Sequence, residues 1–394
     1  MIGSNLRHLR VFLAVADCGS VTQASVRCHV SQPAVTQCLA KLEQQAGQGL
    51  FQRSSGRLFV SDAGAVLRDR ISPALARLDA ALLDISPKLL LTATRPQIGA
   101  LIAAVESQNF SLAARRLNLA QPTVHRAVTQ LERDVGRPLF QRGPGGIQPT
   151  RMASTLASVA RLAFAEFDQA ISELADMKGQ DAGRIVVGAL PLARSQILPR
   201  ALGQFRALRP RILVTVLDGP YDEMLAGLRH GEIDFVIGAL REPLPVGDVV
   251  QERLFDDRLV VLAGGGHELL QREPLPINDL ISFPWVVPRR GTPARDRFAE
   301  MFTSNGLAEP ESLIETGSIL LMRELLQDRR HLACISQLQA RPEIERGLMQ
   351  VVPAPLFDTE RAIGLTYRHG WRPTPAQQQL VDQIRAVSSA EVVR

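Results

Sequence analysis

Two stretches of this chain hold side chains whose type and spacing could do specific chemistry. They are Gln32-Pro33-Ala34-Val35-Thr36-Gln37 and, 89 residues later, Gln121-Pro122-Thr123-Val124-His125-Arg126. A glutamine can bond an adenine edge in two places, and the methyl of an alanine or threonine can meet the methyl of thymine. The outward set in the first stretch is Gln32, Ala34, Thr36 and Gln37, with Lys41 a turn later. In the second it is Gln121, Thr123, His125 and Arg126. Arg53 and Arg57 after the first stretch, and Arg142 after the second, are placed to meet phosphates.

To act together these residues must share one side of a helix. Val35, Leu39 and Leu42 fall at i, i+4 and i+7 and take the buried side, which leaves Thr36, Gln37, Ala40 and Lys41 opposite. Ser31 caps that helix, and Pro33 stands in its first turn, where a missing N–H costs little. Ahead of it, Leu6, Leu9, Phe12, Leu13 and Val15-Ala16 predict a helix stopped by Gly19. Ser20 caps a short second helix over Val21 to His29. Phe51 to Val60, turning at Ser54-Ser55-Gly56, predicts a hairpin, or wing. In a helix-turn-helix the second helix enters the major groove, with residues near its N-terminus on base edges.

The whole unit returns without a gap. Ala24, Arg27, Gln32, Pro33, Val35, Leu42, Glu43, Gly47 and Leu50-Phe51-Gln52-Arg53 recur as Ala113, Arg116, Gln121, Pro122, Val124, Leu131, Glu132, Gly136 and Leu139-Phe140-Gln141-Arg142. A repeat of this length is one structural unit used twice. Its second copy is predicted as helices over Ile98 to Val105, Ser111 to Leu117 and Ala120 to Val135. Its wing runs from Gln141 to Gln148 through Gly143-Pro144-Gly145-Gly146. A long helical stretch follows each copy. Ala63 to Ile85 carries Leu67, Ile71, Leu75, Leu78 and Leu82. Arg151 to Met177 carries Leu156, Val159, Phe167, Ile171 and Leu174. Both stripes are suited to pairing with another helix.

With 394 residues the chain is too long for one ordinary domain. Its 45% apolar content excludes a disordered chain. No run of roughly 18 uncharged apolar residues occurs, so no membrane-spanning helix is expected. Met1 to Phe12 has neither the apolar core nor the cleavage site of a secretory signal, and the cytoplasm is the expected location. Cys18, Cys28, Cys38 and Cys334 form no C-x-x-C pair, so neither a disulfide scaffold nor a metal site is expected, and no cofactor. Residues 1–180 hold 20 basic and 13 acidic side chains, a net +7; residues 181–394 hold 25 and 27, a net −2. The first half is the one suited to a polyanion.

Beyond the polar segment Lys178 to Gly183 the pattern changes. Strands at Arg184–Gly188, Ile212–Leu217, Asp234–Gly238, Leu259–Ala263, Trp285–Pro288, Leu332–Ser336 and Ala362–Tyr367 alternate with helices. Those helices fall at Pro191–Leu208, Tyr221–Arg229, Pro293–Phe302, Ser318–Gln327 and Pro375–Val387. The alternation implies parallel βαβ units. Gly264-Gly265-Gly266 is not followed by Gly-Lys-Ser/Thr and reads as a turn. His267 lacks a second histidine at ligand spacing, and Ser195 lacks a Gly-x-Ser-x-Gly setting. Asp256 and Asp257 would point to opposite sides of a strand. Nothing here calls for an enzyme.

Ala24, Ser31-Gln32-Pro33-Ala34-Val35-Thr36, Leu42-Glu43, Gly47, Leu50-Phe51, Arg53, Ser61 and Gly64 together resemble the LysR-type transcriptional regulators. The second half is similar in style to the same family, through Leu259 to Ala263, His267, Asp279-Leu280, Pro284 to Pro288, Gly291-Thr292 and Arg295. The departure is the tandem, duplicated winged helix-turn-helix. Copy two has Ala120 in place of Ser31, Ala153 in place of Gly64, and no counterpart of Arg57.

The resemblance implies an α+β multidomain chain. Two winged helix-turn-helix domains (1–62 and 94–150) each precede a linker helix (63–93 and 151–180, the latter also for dimerisation). A two-lobed, periplasmic-binding-protein-like α/β effector domain (181–394) follows, with lobes over about 184–255 with 356–394 and about 256–355. The implied partners are double-stranded DNA, a small-molecule effector (a carboxylate, aromatic acid or sugar), a second or further copies in a homodimer or homotetramer, and RNA polymerase. No membrane is implied. The effector would meet strand-end loops. These are Leu190, Pro191 and Ser195 at a helix start that favours anions; Pro288, Arg289, Gly291 and Thr292; Gly317 and Ser318; and Ser336. Arg289 or Arg290 would suit a carboxylate, with hydrogen bonds from Ser195, Thr292 and Ser318. The expected function is a sequence-specific DNA-binding transcriptional regulator that responds to a small molecule. The competing readings are a solute-binding protein or enzyme of the same α/β fold with an appended helical dimerisation region, and a nucleoid-type DNA binder with no effector.

Overall fold

The computed structural model describes residues 3, 5–54, 56–143, 146–355 and 359–392. Ser55, Pro144 and Gly145, which the sequence places at the wing tips, lie outside the described residues, as do 356–358 and 393–394 of the anticipated first lobe. The chain divides into two compact units, Met1–Arg184 and Ile185–Arg394.

The first unit opens with α1 (Leu6–Cys18), α2 (Val21–Arg27), α3 (Gln32–Ala46) and the antiparallel hairpin β1 (Phe51–Ser54) with β2 (Arg57–Val60). Each start is capped as its sequence foretells: Ser20 Oγ accepts from Gln23 N–H, and Ser31 Oγ from Ala34 N–H. Gly19 and Gly47 close α1 and α3 at φ +64° and +63°, in the left-handed region that suits glycine. The linker helix α4 (Asp62–Ile85) is capped by Ser61 and followed by the single turn α5 (Leu89–Thr92).

Copy two consists of α6 (Arg95–Ser107), α7 (Phe110–Leu117), α8 (Gln121–Val135), the hairpin β3 (Phe140–Gly143) with β4 (Gly146–Pro149), and the second linker helix α9 (Arg151–Asp176). Helix α6 begins three residues before the first apolar position, Ile98. Thr94 and Gln97 close a capping box there, with Pro96 in the first turn. Copy one, both linker helices and Ile98, Leu101, Leu131 and Leu139 of copy two share one core that runs from Leu6 and Phe12 to Phe167 and Leu174, while Ala104, Ala113, Val124 and Val128 belong to a smaller core of copy two's own.

The second unit runs β5 (Arg184–Ala189), α10 (Ile197–Leu208), β6 (Leu213–Leu217), α11 (Tyr221–Arg229), β7 (Phe235–Ala239), β8 (Val249–Asp257) and β9 (Leu259–Ala263). It continues through β10 (Trp285–Val287), α12 (Pro293–Thr303), β11 (Leu313–Glu315), α13 (Ile319–Leu325), β12 (Leu332–Ser336) and α14 (Gln337–Glu345). It ends with β13 (Gln350–Val351), β14 (Arg361–Arg368) and α15 (Pro375–Val392). Two five-stranded sheets result, in the orders β6-β5-β7-β14-β8 and β11-β10-β12-β9-β13.

The expected parallel pairings are present, β5 with β7 and β10 with both β11 and β12, but the sheets are mixed: β14 lies antiparallel to both β7 and β8, and β9 lies antiparallel to β12 and β13. The chain crosses from one sheet to the other along β8–β9 and returns along β14, and each crossing reverses a strand direction. Asp257 and Arg361 (Oδ2 to Nη2, 3.1 Å) join the two crossings. The helix expected from Pro191 is also broken. Pro191–Arg194 is a 3₁₀ turn, and α10 starts only at Ile197.

Candidate DNA-reading and effector-binding sites

Helix α3 carries its first turn clear of the protein. Ser31, Gln32, Pro33, Thr36, Gln37 and Lys41 are exposed and Ala34 is half-buried, while Val35, Leu39 and Leu42 enter the core. Helix α8 repeats the arrangement, with Gln121, Pro122, Thr123, His125 and Arg126 exposed above buried Val124, Val128 and Leu131. It starts at Ala120 with no side-chain cap. His125 is steadied edge-on against the Phe110 ring, with centroids 5.1 Å apart. Arg53 and Arg57 on the first wing and Arg142 on the second are exposed.

A carboxylate ties each of these helices to its wing. Glu43 Oε1 accepts from Leu50 N–H (2.8 Å) and Phe51 N–H (3.3 Å). Glu132 Oε1 accepts from Leu139 N–H (2.8 Å) and Phe140 N–H (3.3 Å). The sequence assigned no role to these two glutamates, although their recurrence at the repeat spacing was the signal. Asp134, at the end of α8, receives Lys88 Nζ at 2.8 Å, and that hydrogen bond holds its carboxyl below the usual range.

In the second unit the loop after β5 and the turn before α13 approach each other. A Cβ on Gly317 would come within 3.9 Å of Pro191 Cγ. Leu190 packs on Gly238, where a Cβ would stand 2.5 Å from Leu190 Cβ. Pro288 follows β10. Thr292 caps α12 through Arg295 N–H (3.3 Å) and donates to Arg289 O (2.7 Å), so Pro288 to Thr292 is a fixed turn that leaves Gly291 and the Arg289 side chain exposed. Ser318 caps α13, accepting from Leu321 N–H at 3.3 Å. Ser195 is half-buried at the end of the 3₁₀ turn.

Two of the candidate effector residues already have partners within the chain. Ser336 is 1% exposed; its Oγ donates to Asp257 Oδ1 (2.9 Å) and accepts from Gln339 N–H (3.0 Å). Its hydroxyl caps α14 and joins the two lobes. Arg290, one of two arginines considered for a carboxylate, is taken by Glu315 at 3.2 Å. Burial alone would raise the Glu315 carboxyl, but hydrogen bonds from Arg290 and Arg295 take it below its ordinary value. That leaves Arg289 exposed. A further guanidinium, Arg241, lies half-buried over the Tyr221 ring at 4.4 Å, and burial lowers its pKa. No motif surrounds it, so the sequence did not single it out.

The chain matches the family description "Bacterial regulatory helix-turn-helix protein, lysR family" twice, over residues 6–65 and 96–154, and "LysR substrate binding domain" over residues 178–389. It belongs to the LysR family. It is 37% identical over 388 residues to the HTH-type transcriptional regulator GalR of Pseudomonas putida, covering 97% of each chain. It is 26% identical over 273 residues to the HTH-type transcriptional regulator PcaQ of Agrobacterium fabrum, covering 69% of this chain and 88% of that one. The fold is similar to that of CbnR, a LysR family transcriptional regulator, with a TM-score of 0.50 and 19% identity over 74% of this chain and 98% of that one. The protein is thus a LysR-type DNA-binding transcriptional regulator with an effector-binding domain, and the relatives named here are regulators, not enzymes or solute-binding proteins. Among the described residues no helix is long and apolar enough to cross a membrane.

Proposed function

We infer that α3 and α8 both read bases, and that Arg53, Arg57 and Arg142 hold the backbone. One observation carries this reading. Two copies of the same glutamate-braced helix expose a Gln-Pro start beside an arginine-bearing wing. Bidentate side chains at a helix N-terminus discriminate bases, while wing arginines add affinity without sequence preference. The test is a salt titration of the full chain on duplex DNA. Each phosphate neutralised steepens log K against log[salt] by about 0.9. An affinity that does not change with salt contradicts the reading.

The effector we propose is a small carboxylate, held by Arg289 beside the turn at Gly291 and Thr292 and opposed by the adjoining Pro191 and Gly317 loops. The exposed Arg289 guanidinium, on a turn already fixed by Thr292, supports it. The protein acts in the cytoplasm, by binding rather than by catalysis. The ligand shifts a conformational equilibrium by its affinity difference between conformers, about 1–3 kcal/mol. Chains associate through the second unit, where the edge strand β6 exposes Leu213, Val216 and Leu217. Calorimetric titration with a panel of carboxylates tests the site. A carboxylate ligand that binds Arg289→Ala as well as wild type sinks it.

A further inference from the structure

A 24-residue amphipathic helix needs a partner for its apolar stripe, and here the chain supplies that partner itself. Ile71, Ala74, Leu75 and Leu78 of α4 share one core with Ala160, Ala163, Phe167 and Ala170 of α9, and the two helices pack along their length. They run antiparallel. The first winged domain adjoins the start of α4, where Ser61 bonds Gly49 O, and reaches the end of α9, where Gln48 Nε2 donates to Leu174 O (3.2 Å) and Lys178 Nζ to Ala46 O (2.6 Å). The second adjoins the start of α9, where Thr150 bonds Leu139 O. It reaches the end of α4, where Ser86 Oγ donates to Asp134 O and Lys88 pairs with Asp134. Each reading helix thus rests its C-terminus on the far end of the other copy's linker, as an approximate twofold axis requires.

Repeat and axis are symmetric, but the polar lock between the linkers is not. Arg70, 4% exposed, donates from Nε to Glu173 (2.8 Å) and from Nη1 to Glu166 (3.2 Å) and Gln169 (3.1 Å). At the repeat spacing, the counterpart of Arg70 is Val159, that of Glu166 is Arg77, and that of Glu173 is Asp84. A pair of two α4 helices would therefore set Arg70 against Arg77 and Asp84. A pair of two α9 helices would set Val159 against two carboxylates. Burying an unmatched charge is expensive, and a single polar group at a helix seam selects partner and register. The pairing that places Arg70 between two carboxylates is α4 with α9.

Building on the DNA-reading function proposed above, we propose that a single chain is a complete two-headed reader. Its linker pairing is made within the chain and fixed by Arg70, and its target is one duplex with two unlike half-sites. The heads stand at opposite ends of a rod of 24 and 26 residues, roughly 36–39 Å at about 1.5 Å per residue. One turn of duplex, which brings the major groove back to the same side, is about 34–36 Å. The half-sites differ because Ala34, Thr36 and Gln37 face one and Thr123, His125 and Arg126 the other, while Gln32 and Gln121 are shared chemistry. Arg126 suits a guanine where Gln37 suits an adenine.

The test uses the full chain and a duplex selected from a random pool. Hydroxyl-radical footprints of the wild type are expected on two major-groove segments about one turn apart. Gln32→Ala should lose discrimination at one segment and Gln121→Ala at the other, each by about tenfold or more. Both positions are exposed, so these variants fold. Arg70→Glu and Glu166→Arg/Glu173→Arg should each weaken binding, and the triple variant in one chain should restore it to within about threefold. An equimolar mixture of the two defective chains should not. Restoration by the mixture means that the linkers pair between chains and overturns the proposal. So does a single footprint, or one segment lost in both glutamine variants. A wild type with no affinity for any duplex sinks the DNA-reading function itself, which separates the two failures.

Discussion

Gly64, where copy two carries Ala153, allows a quantitative test. It lies in the first turn of α4, under the wing. A Cβ there would stand 2.1 Å from Leu50 O and 2.6 Å from Val60 Cγ1. Non-bonded carbon atoms come to rest at about 3.5–4.0 Å, so the shortfall exceeds ~1 Å. Leu50 O is backbone and is already held by Ser61 N–H at 3.0 Å, so it has no freedom to turn aside. Gly64→Ala should therefore cost near the upper end of overpacking, about 3 kcal/mol. Alanine's better helix propensity returns about 1 kcal/mol. The net, about 2 kcal/mol, is roughly a 30-fold rise in local opening. The readout is hydrogen exchange of the full chain, in peptides covering 47–66. They should exchange roughly 30-fold faster, with peptides of the second unit unchanged. The mirror variant Ala153→Gly involves no clash and should cost about 1 kcal/mol in helix propensity plus roughly 0.8 kcal/mol for the buried methyl it deletes. Exchange of Gly64→Ala within about twofold of wild type would refute the steric argument.

Other outcomes follow from the same geometry. Ala120→Ser should give α8 the cap that α3 already has and stabilise copy two by about 0.5–2 kcal/mol, read as slower exchange at Val124 and its neighbours. Arg53→Ala should weaken DNA binding evenly across sequences and lower the salt slope by about 1, whereas Gln121→Ala should relax discrimination at particular base pairs. Lys88 lowers the folded-state pKa of Asp134, so its contribution is complete above the unfolded value near 4 and is lost as pH falls through the lowered one. Asp134→Asn should flatten that part of the stability–pH curve, by under about 1 kcal/mol given the exposed lysine. Burial pushes the Cys334 thiol up to about 12, so a maleimide should label half-buried Cys18, Cys28 and Cys38 first and reach Cys334 only on unfolding.

How much was legible in the sequence depends on how local the cause is. Caps and stops are local, and Ser20, Ser31, Gly19 and Gly47 act where their types say they should. The reading helices were legible because periodicity separates buried Val35, Leu39 and Leu42 from exposed Gln32, Thr36 and Gln37. β8 was not, because Val249–Asp257 is interrupted by Gln251, Glu252, Arg253 and Asp256 and earns its place by pairing with β14, more than a hundred residues away. Helix α14 was missed for a similar reason, since Pro342 and a scatter of polar residues hide its period. At Ser336 the sequence shows only a hydroxyl at a strand end, and the fold is what brings Asp257, 79 residues away, to it.

The linker stripe marks the limit of pattern reading most clearly. A run of Leu67, Ile71, Leu75, Leu78 and Leu82 names a face but not its cover, and α9 displays a face of the same kind. By hydrophobicity alone, α4 could pair with α4, α9 with α9, or either with the other, within or between chains. What breaks the tie is Arg70, an out-of-place charge on an apolar face that reads as a blemish until Glu166 and Glu173 are set beside it. Duplication creates the problem of equivalent partners, and a charge present in one copy and absent from the other resolves it. The same divergence separates the reading helices, where Thr36 and Gln37 face His125 and Arg126 across the repeat. An asymmetric lock between the linkers keeps two unlike readers in one fixed order. Without it, a chain with two different heads would have no physical reason to hold one of them at one end of its site and the other at the opposite end.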